Sequence, residues 1–293
     1  MNNQNFSINN GFLNVSVNKF GAEMSSVFQI NNQFEFIWNA NPAVWNRHAP
    51  ILFPIVGKIN ENKISINGNN YEMGQHGFAR DCEFEMINKT DSSLTFLLES
   101  NSETLEKYPF YFHLYIIYSF TENTNQLKIT YKVENNSGYD MPFSIGAHPG
   151  FKLPVAGLNQ YEIDFYSLNK IERHLLKDGL FNNEIETIVL ENHQLNLSKD
   201  LFDKDAIVLK NCETKKISLK HKLSDYEVNC EFNDFSDFGI WAKKGNEDFV
   251  CLEPWLGYAD NIGFNGDILT KKGIINLPAN ERFEASYFLN FTS

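Results

Sequence analysis

Residues 110–120, Phe-Tyr-Phe-His-Leu-Tyr-Ile-Ile-Tyr-Ser-Phe, and residues 127–133, Leu-Lys-Ile-Thr-Tyr-Lys-Val, decide the fold class. In both segments an apolar side chain occupies every second position, which places these side chains on one face of an extended strand. The opposite face is mixed in the first segment and polar in the second. Residues 121–126 between them are polar and prone to turns, so the two segments are predicted to pair as an antiparallel hairpin.

The same alternation predicts strands along most of the chain. Further strands are expected at residues 13–17, 63–66, 94–98, 217–219, 228–232 and 283–291, with an Asn67-Gly68 turn after the second of these. Only residues 102–107 resemble a helix, with Ser102 as its N-cap and Pro109 beyond its end. We therefore predict an all-β fold, an antiparallel sandwich or large barrel. Since no linker or repeat marks a boundary, residues 1–293 are expected to form a single domain.

Composition and charge limit the possible functions. The 293 residues include 26 Phe, 12 Tyr and 4 Trp, enough apolar material for a large core. A net charge of −12 argues against nucleic-acid partners, which require clusters of Lys and Arg. The four cysteines, at positions 82, 212, 230 and 251, form no Cys-x-x-Cys pair, so we expect mostly buried free thiols and no structural zinc. No metal and no cofactor are predicted.

The location of the protein is inferred from segments that the sequence lacks. The first ten residues, Met-Asn-Asn-Gln-Asn-Phe-Ser-Ile-Asn-Asn, have neither the basic start nor the apolar run of a secretory signal. The sequence nowhere runs for 18 apolar residues, so no membrane association is expected. The expected location is the reducing cytoplasm.

A first candidate site is the segment 145–151, Ile-Gly-Ala-His-Pro-Gly-Phe, in which Gly and Pro surround His148. Pro149 keeps His148 out of the helical region of the backbone, and the glycines allow a ligand to approach closely. An imidazole fixed in this way suits proton transfer near neutral pH. The alternative is a turn histidine that is hydrogen-bonded to the local backbone.

A second candidate is the segment 249–255, Phe-Val-Cys-Leu-Glu-Pro-Trp, where an apolar strand ends in a carboxylate. Partial burial beside an indole should raise the pKa of Glu253 and make it a better base. Trp255 could provide a flat platform for a sugar ring. The alternative is a strand-end Glu that binds a nearby backbone N–H.

A third candidate is the segment 75–80, Gln-His-Gly-Phe-Ala-Arg, which contains His76 and Arg80. The planar fork of an arginine suits hydroxyl, carboxylate or phosphate groups. An exposed loop with an ordinary surface arginine is the alternative.

The order His-Gly-Phe-Ala-Arg, Gly-Ala-His-Pro-Gly-Phe, Leu-Glu-Pro-Trp resembles the aldose 1-epimerase (galactose mutarotase-like) superfamily. It is most similar to the branch of LacX-type proteins and hexose-6-phosphate epimerases. The resemblance extends to residues 45–58, with their Phe-Pro-x-x-Gly segment, and to Asp205 before an apolar strand, so that it covers about residues 38 to 260.

This resemblance implies a galactose mutarotase-like β-sandwich with a sugar in an open cleft. By motif matching, His148 would be the catalytic acid and Glu253 the base. His76 would hydrogen-bond the sugar, and Asp205 would hold its hydroxyls, although Asp203 lies close to it in sequence.

The sequence departs from this pattern at Lys58, where many members of the family have a substrate-contacting arginine. Arg47 or Arg80 could supply the guanidinium instead, and these three basic residues could together bind a phosphate. The expected activity is interconversion of the α and β anomers of a hexose or related aldose, with a small-molecule sugar as partner. The alternatives are a hexose-6-phosphate 1-epimerase, a non-catalytic sugar-binding protein and, less favoured by the His/Glu chemistry, a glycoside hydrolase.

Overall fold

The computed structural model describes residues 4–121 and 124–293, and within them regular structure is almost entirely β-strand. In chain order the strands are β1 Asn5–Asn9, β2 Leu13–Asn18, β3 Glu23–Gln29, β4 Phe34–Glu35, β5 Ile51–Leu52, β6 Lys63–Ile66, β7 Asn69–Glu72, β8 Glu85–Lys89, β9 Ser93–Glu99, β10 Phe112–Phe120, β11 Gln126–Asn135, β12 Met141–Phe143, β13 Ile145–Ala147, β14 Gly150–Lys152, β15 Tyr161–Asp164, β16 Lys170–Lys177, β17 Leu180–Val189, β18 Gln194–Asn196, β19 Ile207–Leu209, β20 Lys216–His221, β21 Glu227–Glu231, β22 Asp237–Trp241, β23 Phe249–Leu256, β24 Ile275–Leu277 and β25 Arg282–Thr292.

Two large antiparallel sheets dominate the fold, which confirms the predicted class. One sheet has the strand order β18-β15-β20-β21-β25-β11-β10-β9-β8, and the other has the order β17-β16-β19-β22-β23-β13-β5, with β14 also paired to β23. Smaller sheets are formed by β1 to β4, by β12 with β24, and by β6 with β7. Both large sheets contribute to one apolar core, for example through Ile116 and Tyr131 from the first and Ile240 and Leu252 from the second.

The hairpin predicted from residues 110–133 is present as β10 and β11. Ile116 pairs with Tyr131, and the even-numbered residues of β10 are all buried while the odd-numbered ones are half-exposed. This alternation matches the sequence pattern because one face of the hairpin packs on the core. Glu122 and Asn123 of the predicted turn lie outside the described residues.

The predicted helix is α1, Ser102–Lys107, but its N-cap is Asn101 and the prediction of Ser102 was wrong. The Asn101 side chain accepts hydrogen bonds from the backbone N–H groups of Glu103 and Thr104, which completes a capping box. Short 3₁₀ turns occur at Asn60–Asn62, Ala79–Asp81, Leu158–Gln160, Lys199–Phe202 and Ile268–Thr270. None of the helices in the described chain has the length and apolar character needed to cross a membrane.

Strand β23 is buried on both faces, and this property places the candidate site. Val250 and Leu252 point into the main core. Because side chains alternate along a strand, Cys251, Glu253 and Trp255 point to the opposite face, where Trp255 and Cys251 belong to two small apolar clusters. A carboxylate is thus held on an apolar floor outside the core.

Candidate active site

A cavity of about 370 Å³ lies on this outer face of the second sheet. Six of the eight residues that the sequence singled out line it: His76, Arg80, His148, Asp205, Glu253 and Trp255. Motifs that are far apart in the chain therefore meet in one place, as a binding site requires.

The strand register brings His148 opposite Glu253. Strand β13 pairs with β23 through Gly146 and Trp255, and β14 pairs with the same strand through Gly150 and Cys251. The pairing register with β23 is therefore the same before and after His148-Pro149, which interrupt the two short strands. His148 is therefore the cross-strand neighbour of Glu253, in a gap between two short strands where its ring can turn towards the cavity.

The two side chains lie in contact. Nε2 of His148 is 3.2 Å from Oε2 of Glu253, and the exposed fraction of the glutamate side chain is 1%. Both Glu253 oxygens and Nδ1 of His148 are buried and lack a hydrogen-bond partner among the described protein groups. Together with Cys251 they form the one set of possible metal ligands found in the described residues. Buried polar atoms in proteins are normally paired, so unpaired atoms that line a cavity are available to a ligand.

Burial shifts the pKa values of both groups towards their neutral forms. It raises the pKa of Glu253 well above its ordinary value, and the nearby charge of Asp205 adds to this effect. Burial lowers the pKa of His148, and the charge of Arg80 acts in the same direction. In both groups burial therefore favours the neutral form, with the proton on the carboxyl group and not on the imidazole.

Trp255 lies flat on the sheet because glycines flank it on both neighbouring strands. A Cβ atom at Gly146 would come within 2.5 Å of the indole Cδ1, and one at Gly239 within 2.5 Å of Cη2. The indole Nε1 donates to the backbone oxygen of Ala147 at 3.2 Å. The ring is thus fixed as the floor of the cavity beside Glu253.

His76 is held as a neutral ring. Its Nδ1 accepts a hydrogen bond from the backbone N–H of Gly57 at 3.1 Å, and the backbone N–H of His76 donates to the backbone oxygen of Gly57 at 2.9 Å. Burial lowers the pKa of His76 well below its ordinary value, with a further contribution from His148. His76 can therefore hydrogen-bond a ligand but is unsuited to carry a charge at neutral pH.

Asp205, and not Asp203, faces the cavity. One Asp205 carboxylate oxygen accepts a hydrogen bond from the N–H of Ala206 at 2.8 Å, and its backbone oxygen accepts one from the buried Arg173 at 2.7 Å. The backbone of Asp205 is left-handed, with φ of 71°. Asp203 instead pairs with Lys244 at 2.8 Å and is not part of the cavity wall.

Of the three basic residues considered, only Arg80 lines the cavity, and its Nη2 donates to the backbone oxygen of Gln75 at 2.7 Å. Arg47 donates to the backbone oxygen of Arg80 at 3.1 Å and pairs with Asp81 at 2.5 Å. Lys58 donates to the backbone oxygen of Asp178 at 2.9 Å. Arg47 and Lys58 therefore connect loops around the cavity and are not part of its wall.

Two tryptophans that the sequence analysis did not single out form the wall around His148. The ring of Trp45 lies 5.1 Å from the imidazole and that of Trp241 lies 5.6 Å from it. Trp241 could have been found from the alternation Gly239-Ile240-Trp241, which places it on the same face as Glu253. Trp45 lies on a loop, and no local pattern indicates its orientation. Lys243 and Phe181 are two further lining residues that the sequence analysis did not single out.

Comparison with known proteins identifies the family of the chain. Residues 4–275 match the family model described as aldose 1-epimerase. The chain is 29% identical over 277 residues to the chromosomal protein LacX of Lactococcus lactis subsp. lactis, covering 90% of this chain and 91% of that protein. It is similar to the structure of a galactose mutarotase related enzyme from Lactobacillus acidophilus, with 35% identity, a TM-score of 0.94, and coverage of 99% and 98% of the two chains. A galactose mutarotase-like protein from Lactobacillus casei ATCC 334 gives 30% identity, a TM-score of 0.92, and coverage of 99% and 100%. The suspected family is confirmed: the chain belongs to the aldose 1-epimerase family.

Proposed function

We propose that this protein is an aldose 1-epimerase that interconverts the α and β anomers of a free aldose, with Glu253 as base and His148 as acid. The observation that carries the proposal is the 3.2 Å contact between the two groups in the cavity wall. Anomer exchange requires removal of a proton from the C1 hydroxyl and addition of one to the ring oxygen. Since both oxygens are bonded to C1, the acid and the base must lie side by side.

The proposed reaction needs no covalent intermediate. Glu253 takes the proton of the C1 hydroxyl while the imidazolium of His148 gives a proton to the ring oxygen, and the bond between C1 and the ring oxygen breaks. The open-chain aldehyde rotates about the C1–C2 bond, and the ring closes with both proton transfers reversed. Each positioned acid or base contributes roughly 10²- to 10⁴-fold in rate.

One proton is sufficient for this cycle. In the free protein burial keeps it on Glu253, and transfer to His148 over 3.2 Å produces the carboxylate and imidazolium that ring opening requires. Hydroxyl groups of a bound sugar would stabilise this ion pair by donating to the carboxylate oxygens, which have no other partner among the described protein groups. His76 and Asp205 would orient the remaining hydroxyls, with Trp255 beneath the ring.

A free aldose is favoured over a hexose 6-phosphate by the state of the basic residues. Arg47 and Lys58 are engaged with backbone oxygens outside the cavity, and Arg80 is partly engaged in its wall. Lys243 is the other cation that lines the cavity within the described residues. We also propose that residues 1–293 act as one domain, because both large sheets share the core on which the site rests.

Polarimetry of freshly dissolved α-glucose and α-galactose, with glucose 6-phosphate in parallel, tests the proposal. Glu253→Gln and His148→Asn should each slow catalysed mutarotation at least ~10²-fold, because each removes a proton carrier. Asp203→Asn is the matched control and should behave like the parent, since Asp203 pairs with Lys244 away from the cavity. Either active-site variant within about threefold of the parent rate would exclude the assigned roles. Sugar binding without any acceleration by the parent would instead favour a binding protein.

A further inference from the structure

Buried beside the cavity, next to His148 and Glu253 of its wall, lies a third side chain with metal-binding chemistry that the proposed reaction does not use. Cys251 lies two residues before Glu253 on β23, so both side chains leave the same face of the strand. His148 approaches from the neighbouring strand. The ligand atoms of the three residues all lie within 4.8 Å of one another.

These distances are close to those of a tetrahedral zinc site. With Zn–N and Zn–O distances of about 2.0–2.2 Å and a Zn–S distance of about 2.3 Å, ligand atoms in such a site are separated by roughly 3.3–3.8 Å. The contact between His148 and Glu253, at 3.2 Å, lies about 0.1 Å below this range. The ligand atoms lie within 4.8 Å of one another, so the sulfur has to approach the other two by about 1 Å to complete the site. The two Glu253 oxygens are buried and unpaired among the described groups, so they remain available to an ion.

We propose that His148, Cys251 and Glu253 bind a thiophilic divalent cation of the Zn²⁺ class, and that the bound ion switches the epimerase off. A ligand set of one sulfur, one nitrogen and one oxygen selects Zn²⁺ over Mg²⁺ or Ca²⁺, which prefer all-oxygen ligands. Three protein ligands leave the fourth position open towards the cavity, for water or a sugar hydroxyl.

Inhibition follows from the atoms that the ion would occupy. The metal takes the lone pair of His148 that otherwise receives the proton, and it neutralises the Glu253 carboxylate that would accept the proton of the sugar. Neither group can then transfer a proton. The inhibition part of the proposal rests on the proposed function, whereas the metal-binding part does not.

Cobalt titration tests the site directly. Protein stripped with a chelator and desalted is titrated with Co²⁺, and we expect a thiolate-to-cobalt absorption band that saturates at one ion per chain and is displaced by Zn²⁺. Cys251→Ser and Cys251→Ala should both lose this band. Cys212→Ser, which changes another buried free cysteine, should keep it. His113→Gln should also keep it, because His113 lies between Glu99 and Glu134 on the other sheet without a thiol.

Zn²⁺ inhibition is then measured by polarimetry, with each variant compared with its own metal-free rate. The Zn²⁺ concentration for half-inhibition should rise at least about tenfold in both Cys251 variants and stay within about twofold in Cys212→Ser. Absence of the cobalt band in the parent, or its persistence in Cys251→Ser, would overturn the site. Activation by Zn²⁺ would overturn the inhibitory role. A parent that shows the band but no mutarotation would refute the proposed function and leave the metal site standing.

Discussion

The close packing of the Trp255 indole against Gly146 and Gly239 allows a test of how the sheet positions the site. In Gly239→Ala the new methyl group would lie 2.5 Å from Cη2 and 2.6 Å from Cζ2 of the indole, whereas ordinary contacts are 3.5–4.0 Å. The ring must move by about 1 Å although it is buried and its nitrogen is bound to Ala147. Overpacking of this kind costs about 1–3 kcal/mol. The lower entropy of the unfolded chain with Ala offsets about 0.4–1 kcal/mol of this cost.

We therefore expect Gly239→Ala to lower the free energy of unfolding by about 1–2 kcal/mol in urea denaturation, with an unchanged m-value. The displaced ring also enters the cavity beside Glu253, so kcat/KM should fall. In a Trp255→Phe background, which lacks Cη2 and Cζ2, the same substitution should cost less than about 0.5 kcal/mol, giving a coupling energy of about 1 kcal/mol. Gly138→Ala is the control, because its methyl group would meet nothing within 4 Å. An equal cost of Gly239→Ala in both backgrounds would refute the steric explanation.

Three further substitutions separate anchoring residues from residues that contact the sugar. Arg47→Ala should lower the free energy of unfolding by about 1–2 kcal/mol in urea denaturation, because Arg47 holds a loop outside the cavity. For the same reason KM should stay within about twofold of the parent. A large rise in KM would place Arg47 in the site. Arg173→Lys should lower the free energy of unfolding by about 2 kcal/mol and lower kcat/KM, because lysine lacks the guanidinium that holds the backbone oxygen of Asp205. Unchanged kinetics would mean that Arg173 does not position Asp205. Trp45→Ala should reduce kcat/KM about 5- to 30-fold, because it removes the ring beside His148. It should also lower stability, because the same ring stacks on Phe249. An unchanged kcat/KM would exclude Trp45 from the cavity's function.

Local patterns predicted the elements of this fold well because burial on one face leaves a period of two in the sequence. Strand β10 is an example, with every second side chain buried. Strand β23 has apolar residues on both faces, so its alternation is hidden, and it continues to Leu256, three residues beyond the carboxylate at which the sequence predicted its end. The N-cap was misassigned because Asn101 and Ser102 are both good caps, and only the backbone geometry distinguishes them.

The site itself could be predicted only where a residue's environment is set by its own strand or turn. His148 and Glu253 meet through a pairing register between residues about a hundred positions apart, which motif order suggests but alternation cannot specify. Arg47 and Lys58 are of the right chemical type near the right motifs. Their long side chains, however, reach backbone oxygens on other loops, and the choice between an anchoring and a binding role depends on contacts distant in sequence.

The burial of Glu253 implies that the site reduces the stability of the fold. The pKa of Glu253 is raised by burial, so as pH rises above the ordinary value of 4.5 the folded chain retains a proton that the unfolded chain releases. The stability contribution of Glu253 is therefore complete at low pH and decreases as pH rises from about 4.5 towards the folded pKa, by up to about 1.4 kcal/mol per pH unit. In Glu253→Gln the side chain at position 253 no longer titrates, although the titratable groups His148, Asp205 and Cys251 still lie near it. The free energy of unfolding of Glu253→Gln should thus exceed that of the parent by a margin that grows as pH rises above 4.5 towards the folded pKa of Glu253, even as the activity of the variant is lost. Parallel pH profiles of stability for the two proteins would mean that the carboxyl group is not desolvated, and the proton inventory of the pair would then have to be revised.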